Sequence, residues 1–551
     1  MPDAPRFLPA AVGAISRWID RNIVDLGRQM RLSYLPPLMV YVAAGISGLT
    51  AIVGTFFVKE YLSLSAGFLA TLGFWATLPW ALKMPLGHIV DLIWRRKAGL
   101  VYLGAGLIAA SLLIMIGLLG HLSVLRAVMP AEAWFVLSTL LAPIGYVLQD
   151  TVADAMTVEA VPRVDAQGQT LSEEARRVGQ ITMQTLGRVA IIGGGVLVSL
   201  ANVILFRGVA SMTTALKAAT YLQVYEWAIV IPIISVLGVV LASVLRRRQT
   251  NRLAASGLGR ADIRALLDTH AQPPRVNWWI LGGGAAFVAF SIALGLSDIA
   301  WNEEIIFGGS MAIVLLLIWR LTRELEPGPR NVLIGTALLI FVFRAMPTPG
   351  AGSTWWMIDE LGFDQRFLAV LALISSALTL AGLFIFRRFM AERSIVYVIG
   401  FLTIAGTLLA LPPLGMFYGL HHWTASLTHG VVDARFIALV DTAMESPLGQ
   451  IAMVPMLAWI ANSAPERLKA TYFAVMASFT NLALSLSQLG TKYLNEVFVI
   501  TREVSDATGG AIRVPANYGE LGHLYLAVIV IGFSLPMLAI VFVRTTRFRS
   551  A

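Results

Sequence analysis

Along the chain, apolar runs of roughly 18–28 residues alternate with short polar stretches, and each run ends in Arg, Lys, Pro or a polar cluster. A helix advances about 1.5 Å per residue, so about 20 apolar residues cross the hydrocarbon core of a bilayer. The runs predict fourteen membrane helices, at 33–57, 66–86, 98–120, 133–160, 178–206, 221–245, 277–297, 304–320, 331–348, 367–386, 394–413, 434–461, 470–497 and 520–543. Strands of a transmembrane barrel would be shorter and would alternate in polarity, and the chain shows no such pattern. The pattern therefore predicts an all-α polytopic membrane protein.

Composition agrees. Of 551 residues, 57% are hydrophobic and 13% charged, against about 25% charged in soluble domains. The chain has no cysteine, which excludes disulfides, thiol catalysis and iron–sulfur ligation. Residues 1–32 lack the apolar core and cleavage site of a signal peptide and are expected to form a cytoplasmic N-terminal segment, with an amphipathic surface helix at 14–30.

The net charge of +9 raises a nucleic-acid partner, but the placement of the charges answers otherwise. With the N-terminus inside, the predicted inner segments collect Arg95, Arg96, Lys97, Arg163, Arg176, Arg177, Arg246, Arg247, Arg248, Arg387, Arg388, Arg393, Arg467, Lys469 and Arg544. The outer segments hold few, such as Lys59, Arg126, Arg207, Lys217 and Arg502. This is the positive-inside pattern. It places both termini in the cytoplasm, the bilayer of a bacterial inner membrane around the chain, and no nucleic acid beside it.

The longest inner connection, 246–276, is basic, contains Gly257 and Gly259, and includes Pro273 and Pro274. It reads as a linker after an N-terminal six-helix bundle over 33–245. A two-helix insert at 277–330 follows, then a C-terminal six-helix bundle over 331–551. Three echoes in the same order link the bundles: GFLATLG (67–73) with RFLAVLA (366–372), VYLGAG (101–106) with VYVIGF (396–401), and LQDT (148–151) with LVDT (439–442). Parallel six-helix repeats imply a major-facilitator transporter with its site near the midplane, between the halves.

Charged residues inside the predicted spans mark that site. An acid at the centre of a membrane helix costs about 2.5–3.5 kcal/mol on insertion scales, so it faces a cavity or a partner. Asp150 and Asp154 lie four apart in the fourth helix, and Asp441 and Glu445 lie four apart in its repeat mate. Each pair shares one helix face. Arg188, at matching depth in the fifth helix, permits an Asp150–Arg188 pair, and Arg344 lies at a depth compatible with Asp441 or Glu445. Static ion pairs between helices are the competing reading for any one of these residues.

LPWALKMPLGHIVDLIWRRK (78–97) holds a different set. Lys83, Gly87, Asp91, Arg95 and Arg96 sit around the inner loop between the second and third helices and are read as a cytoplasmic gate. The GGG at 193–195 is read as close helix packing, and Trp355 and Trp356, in a predicted outer loop at 348–365, as interfacial anchors. The chain has no P-loop, no H-E-x-x-H and no metal-ligand spacing among its seven histidines. Neither an enzyme nor a cofactor is expected.

The same residues carry a family resemblance. PWALKMPLGHIVD (79–91) resembles the Pro-Trp, Lys, Gly and Asp signature of the folate–biopterin transporter family, a branch of the major facilitator superfamily. QDTVADAMTVEA (149–160) resembles its paired-acid fourth helix. APERLKATYFAVMASFTNLALSLSQLG (464–490) resembles its eleventh helix, with Ala470, Ser478 and Asn481 in place. The resemblance covers both halves, without the insert at 277–320 and the tails. It implies a proton-coupled symporter that imports folates and pterins, with Lys83, Asp91, Asp150, Asp154 and Asn481 as motif residues and Arg188 as a basic position. The small-molecule anion and H+ are the implied partners. Two features depart from the family: Met84 stands where a proline is expected, with Pro85 one place later, and the two extra helices exceed the usual twelve. Muropeptide permeases of wall recycling share a similar fourth helix and have two additional helices. A bacteriochlorophyll-delivery group shares the fold in a non-transporting, pigment-handling role. Both alternatives stay open on the sequence.

Overall fold

The computed structural model describes residues 24–62, 64–161, 171–257, 259, 262–263, 267, 276–295, 297, 299–323, 326–386, 389, 393–449, 469–505, 512–546 and 548. Most of the predicted surface helix at 14–30, the loop basics Arg163, Arg387, Arg388 and Arg467, and the inner end of the predicted span 434–461 lie outside these residues.

A helix or helix pair stands at each predicted position. Helix α1 (Leu35–Gly45) continues through a 3-10 turn (Ile46–Thr50) into α2 (Ala51–Tyr61). Helix α3 (Ala66–Thr77) continues through a 3-10 segment (Leu78–Leu82) into α4 (Lys83–Leu92). There follow α5 (Ala98–Gly120), α6 (Ala131–Ala160), α7 (Glu173–Leu205), and the nearly continuous α8 (Thr214–Ala228) and α9 (Val230–Ala255). The insert is α10 (Trp278–Gly295) and α11 (Asn302–Thr322). The second half comprises α12 (Pro327–Arg344), α13 (Ala351–Asp359), α14 (Gln365–Ile385), α15 (Ile395–Leu409), α16 (Leu411–Phe417), α17 (Ala434–Glu445), α18 (Lys469–Val497) and α19 (Leu521–Thr545).

Ten spans among the described residues are long and apolar enough to cross a membrane. Four predicted spans fall short for visible reasons. The second is broken by its 3-10 segment, the ninth carries Arg330 and Arg344, the twelfth leaves the described residues after 449, and the thirteenth bears a polar stripe. Large apolar side chains such as Leu103, Leu113, Leu197, Ile204 and Leu538 are exposed, as expected of surfaces that face lipid rather than water.

Local chemistry explains where helices begin. Ser65 accepts from the Phe68 amide at 3.1 Å and Asp364 from the Phe367 amide at 2.7 Å, so each caps the helix after it. Helices α1, α5, α6 and α9 pack mainly on one another, with α7 against α1, and α12, α15 and α19 do the same, with α18 against α12 and α17 against α14. The two groups meet reciprocally: α3, from the second span, packs along α18, and α7, from the fifth, packs along α14.

The glycines of the GGG stretch serve close packing, as expected. A Cβ on Gly194 would stand 2.9 Å from the backbone of Gly45, and one on Gly45 would stand 2.2 Å from the Ile191 carbonyl oxygen. The insert straddles the α3–α18 seam. Pro85 of α4 presses on Gly284 of α10, where a Cβ would meet it at 2.5 Å, and Lys492 of α18 bonds Glu303 and Glu304 of α11, each at 3.3 Å.

The outer loop at 348–365 differs from its prediction. Residues 351–359 form α13, and Trp355 and Trp356 are buried at 2% and 5% exposure in an apolar cluster with Phe363, Phe367, Ile500 and Tyr525. They are core residues rather than interfacial anchors.

Candidate functional site

Lys83 is the first residue of α4, immediately after the 3-10 segment. Its Nζ lies 2.6 Å from Asp150 Oδ2 and 2.8 Å from Asp154 Oδ2. The two acids are one helical turn apart on α6, so a single ammonium reaches both. Tyr41 of α1 donates to Asp154 Oδ1 at 2.7 Å. The side chains of Lys83 and Asp150 keep 21% and 16% exposure, and that of Asp154 keeps 43%. Asp154, the most exposed of the three, lies within the last two turns of α6.

Arg188 of α7 lies within electrostatic reach of Asp150 and Tyr41, and of Arg344 at the end of α12. Neither arginine forms an ion pair or hydrogen bond among the described residues. The expected Asp150–Arg188 contact pair is therefore replaced by Lys83. The residue read as part of the cytoplasmic gate belongs instead with the paired acids. The long lysine arm, aimed by the 3-10 segment, reaches deeper than its place in the sequence suggests.

The second acid pair is built differently. Asp441 and Glu445 lie on α17 and interact electrostatically. Glu445 is exposed, and Asp441 Oδ1 is buried without a hydrogen-bond partner among the described residues. Arg344 makes no ion pair with either, contrary to the depth argument.

Asn481 faces the seam. Its Nδ2 donates to the Trp80 carbonyl at 3.1 Å, while Ser478 Oγ accepts from the Met84 amide at 3.3 Å and Thr77 and Ser485 hydroxyls meet at 3.0 Å. Another stripe of α18 holds the gap between α12 and α13. Ser487 donates to the Met346 carbonyl at 2.6 Å, Thr491 accepts from the Thr348 amide at 3.0 Å, and Asn495 donates to the Pro349 carbonyl at 3.2 Å. Non-helical backbone at membrane depth needs such partners.

At the end predicted to face the cytoplasm, Asp91 is half-buried and Arg95 and Arg96 are exposed. A Cβ on Gly87 would meet nothing within 4 Å. The buried ion pair there was not singled out by the sequence: Lys97 Nζ lies 2.7 Å from Glu159 and 3.9 Å from the Trp94 ring centre. Glu159, an acid near the end of an apolar run, was the available signal.

At the end predicted to face outward, the two groups are joined by charges that the sequence pattern does not mark. Lys59 Nζ lies 2.5 Å from Asp359, which accepts from the Tyr518 hydroxyl at 2.5 Å. Burial and the nearby Asp359 push the Tyr518 phenol up, so it stays a donor. Arg502, 2% exposed, donates to the carbonyls of Val58, at 2.8 Å, and Leu62, and stacks on Trp355. It thus neutralises the C-terminal end of α2 from the opposite half. Among the described residues no cluster of three or more His, Asp or Glu could hold a metal ion.

Comparison with known proteins follows the same lines. The model of the BT1 family matches residues 44–543. The chain is 24% identical to a folate-biopterin transporter of Synechocystis over 477 residues, which cover 85% of this chain and 75% of that protein. It is 26% identical to a putative folate transporter 2 of Plasmodium berghei over 163 residues, which cover 30% and 34% of the two chains. A solved POT family transporter, in complex with a thioalcohol-conjugated peptide, superposes with a TM-score of 0.58 at 10% identity, covering 93% of this chain and 96% of the other. Such low identity speaks to fold alone, and the fold is that of the major facilitator transporters.

Proposed function

The chain belongs to the BT1 family of multi-pass membrane transporters, and from that premise we propose that it carries a folate- or pterin-type organic anion across the membrane by proton-coupled alternating access. The observation that carries this reading is the charge arrangement around Lys83. One ammonium serves two acids, and two guanidinium groups nearby have no ionic partner among the described residues.

Charge counting gives the coupling. Asp150, Asp154, Lys83 and Arg188 together are neutral. An incoming carboxylate that binds Arg188 leaves an acid without compensation in a poorly solvated interior, and a proton restores the balance. Asp150 and Asp154 would take that proton, with Asp441 and Glu445 as a second acceptor pair in the other half. In this reading 33–245 and 331–551 are the rocking bundles, 246–276 links them, 277–330 is accessory, and both termini lie inside. The names of the Synechocystis and Plasmodium relatives support the substrate class.

Ligand-dependent thermal stabilisation of the purified protein tests the reading. Folate, biopterin and an anhydro-muropeptide are compared across a pH series. A ligand that binds together with a proton binds more tightly as pH falls, so the shift with folate or biopterin grows toward low pH. A shift with the muropeptide alone would overturn the substrate class, and a shift independent of pH would overturn the coupling.

A further inference from the structure

In an uninterrupted α-helix the Met84 amide would donate to the Trp80 carbonyl, four residues back. Here the chain passes through a 3-10 segment just before Met84, and both groups bond side chains of α18. The Met84 amide donates to Ser478 Oγ, and the Trp80 carbonyl accepts from Asn481 Nδ2 as well as from the Lys83 amide. Ser478 and Asn481 are three apart, on one face of their helix. Pro85 weakens the same turn, because it has no amide to offer the Ala81 carbonyl.

Lys83 sits inside this turn. We propose that Ser478 and Asn481 are positioning residues for Lys83: from the opposite half they hold the α3–α4 break open and so keep the ammonium on Asp150 and Asp154. When α18 shears along α3 and α4, the freed Met84 amide and Trp80 carbonyl pair with each other, since unpaired backbone groups are disfavoured at membrane depth. Each residue that passes from 3-10 to α geometry turns the chain beyond it by about 20° and shortens it by about 0.5 Å. Lys83 then swings off the acids, which take a proton in its place. Motion of the seam is in this way tied to the charge of the acid pair. The functional consequence rests on the proposed coupling role of Asp150 and Asp154, while the geometry is independent of any substrate.

The test uses the full chain, reconstituted without substrate. Because the protein has no cysteine, nitroxide labels can be placed through Gly87→Cys on α4 and Gly106→Cys on α5, where added side chains meet nothing within 4 Å. Pulsed electron resonance reads their separation. In Ser478→Ala or Asn481→Ala a population shifted by about 3–6 Å is expected from a turn of a few residues between the two helical geometries. Ser478→Thr keeps the native distance. A control pair, Gly106→Cys with Gly193→Cys, stays unchanged. Native distances in both alanine variants would overturn the proposal, and so would equal shifts in the control pair, which would mean general loosening. A wrong substrate class would leave these distances as they are, so the two readings fail separately.

Discussion

Lys83 and Asp150 are 67 residues apart in the sequence and 2.6 Å apart in the structure. Removing one partner of a buried ion pair leaves an uncompensated charge, typically at about 3–5 kcal/mol. The partial exposure of Lys83 reduces this, so Lys83→Ala should lower stability by about 2–3 kcal/mol. Adding Asp150→Asn to that variant should restore most of the stability but not uptake. Thermal unfolding in detergent, beside uptake in vesicles, checks both parts. Equal stability of the single and double variants would remove the pair from the account.

Arg502 ties the end of α2 to the opposite half from a buried position. Arg502→Ala should open the outer side. Ala369, fully buried in α14 within a cluster that includes α2, offers a reporter. An impermeant maleimide should label Ala369→Cys slowly in the parent and at least several-fold faster with Arg502→Ala. Unchanged labelling would mean that the outer charges are not a closure.

The seam between α3 and α18 must move for the substrate to pass. The hydroxyls of Thr77 and Ser485 meet at 3.0 Å, close enough for paired cysteines to bridge. Oxidation of Thr77→Cys with Ser485→Cys should stop transport, and a reductant should restore it. Undiminished uptake in the oxidised, cross-linked protein would show that the seam stays closed throughout the cycle.

Gly350 starts α13 with φ +76°, and a Cβ there would stand 3.0 Å from Asn495 Nδ2. Gly350→Ala should destabilise the protein by about 1–3 kcal/mol through backbone strain. It should also slow transport more than Gly328→Ala, which has open space around it. Paired melting and uptake curves decide the matter, and equal behaviour of the two variants would count against a strained joint.

Hydropathy was enough to place the helices, because the bilayer fixes the length of an apolar run. It could not show what breaks them. The second span reads as continuous through Leu78–Leu82, although Pro79 and Pro85 were signals for the 3-10 segment that aims Lys83. Pro347, Pro349 and Gly350 likewise mark the end of α12, but nothing in their pattern announces α13 beyond them. Depth along sequential helices singled out Arg188 for Asp150, since depth says nothing of rotation about a helix axis, and rotation decided for Lys83. Asn481 was legible as a motif residue, but its partner is the backbone of Trp80, which no residue type announces.

Accumulation of folate in proteoliposomes under an inward proton gradient is the decisive measurement, made on the parent protein and on Asp150→Asn. The parent should concentrate the substrate, and collapse of the gradient should abolish the excess. Asp150→Asn should insert and fold but lose gradient-driven accumulation. Full accumulation by Asp150→Asn, or accumulation by the parent that ignores the gradient, would contradict proton coupling through the Lys83 site.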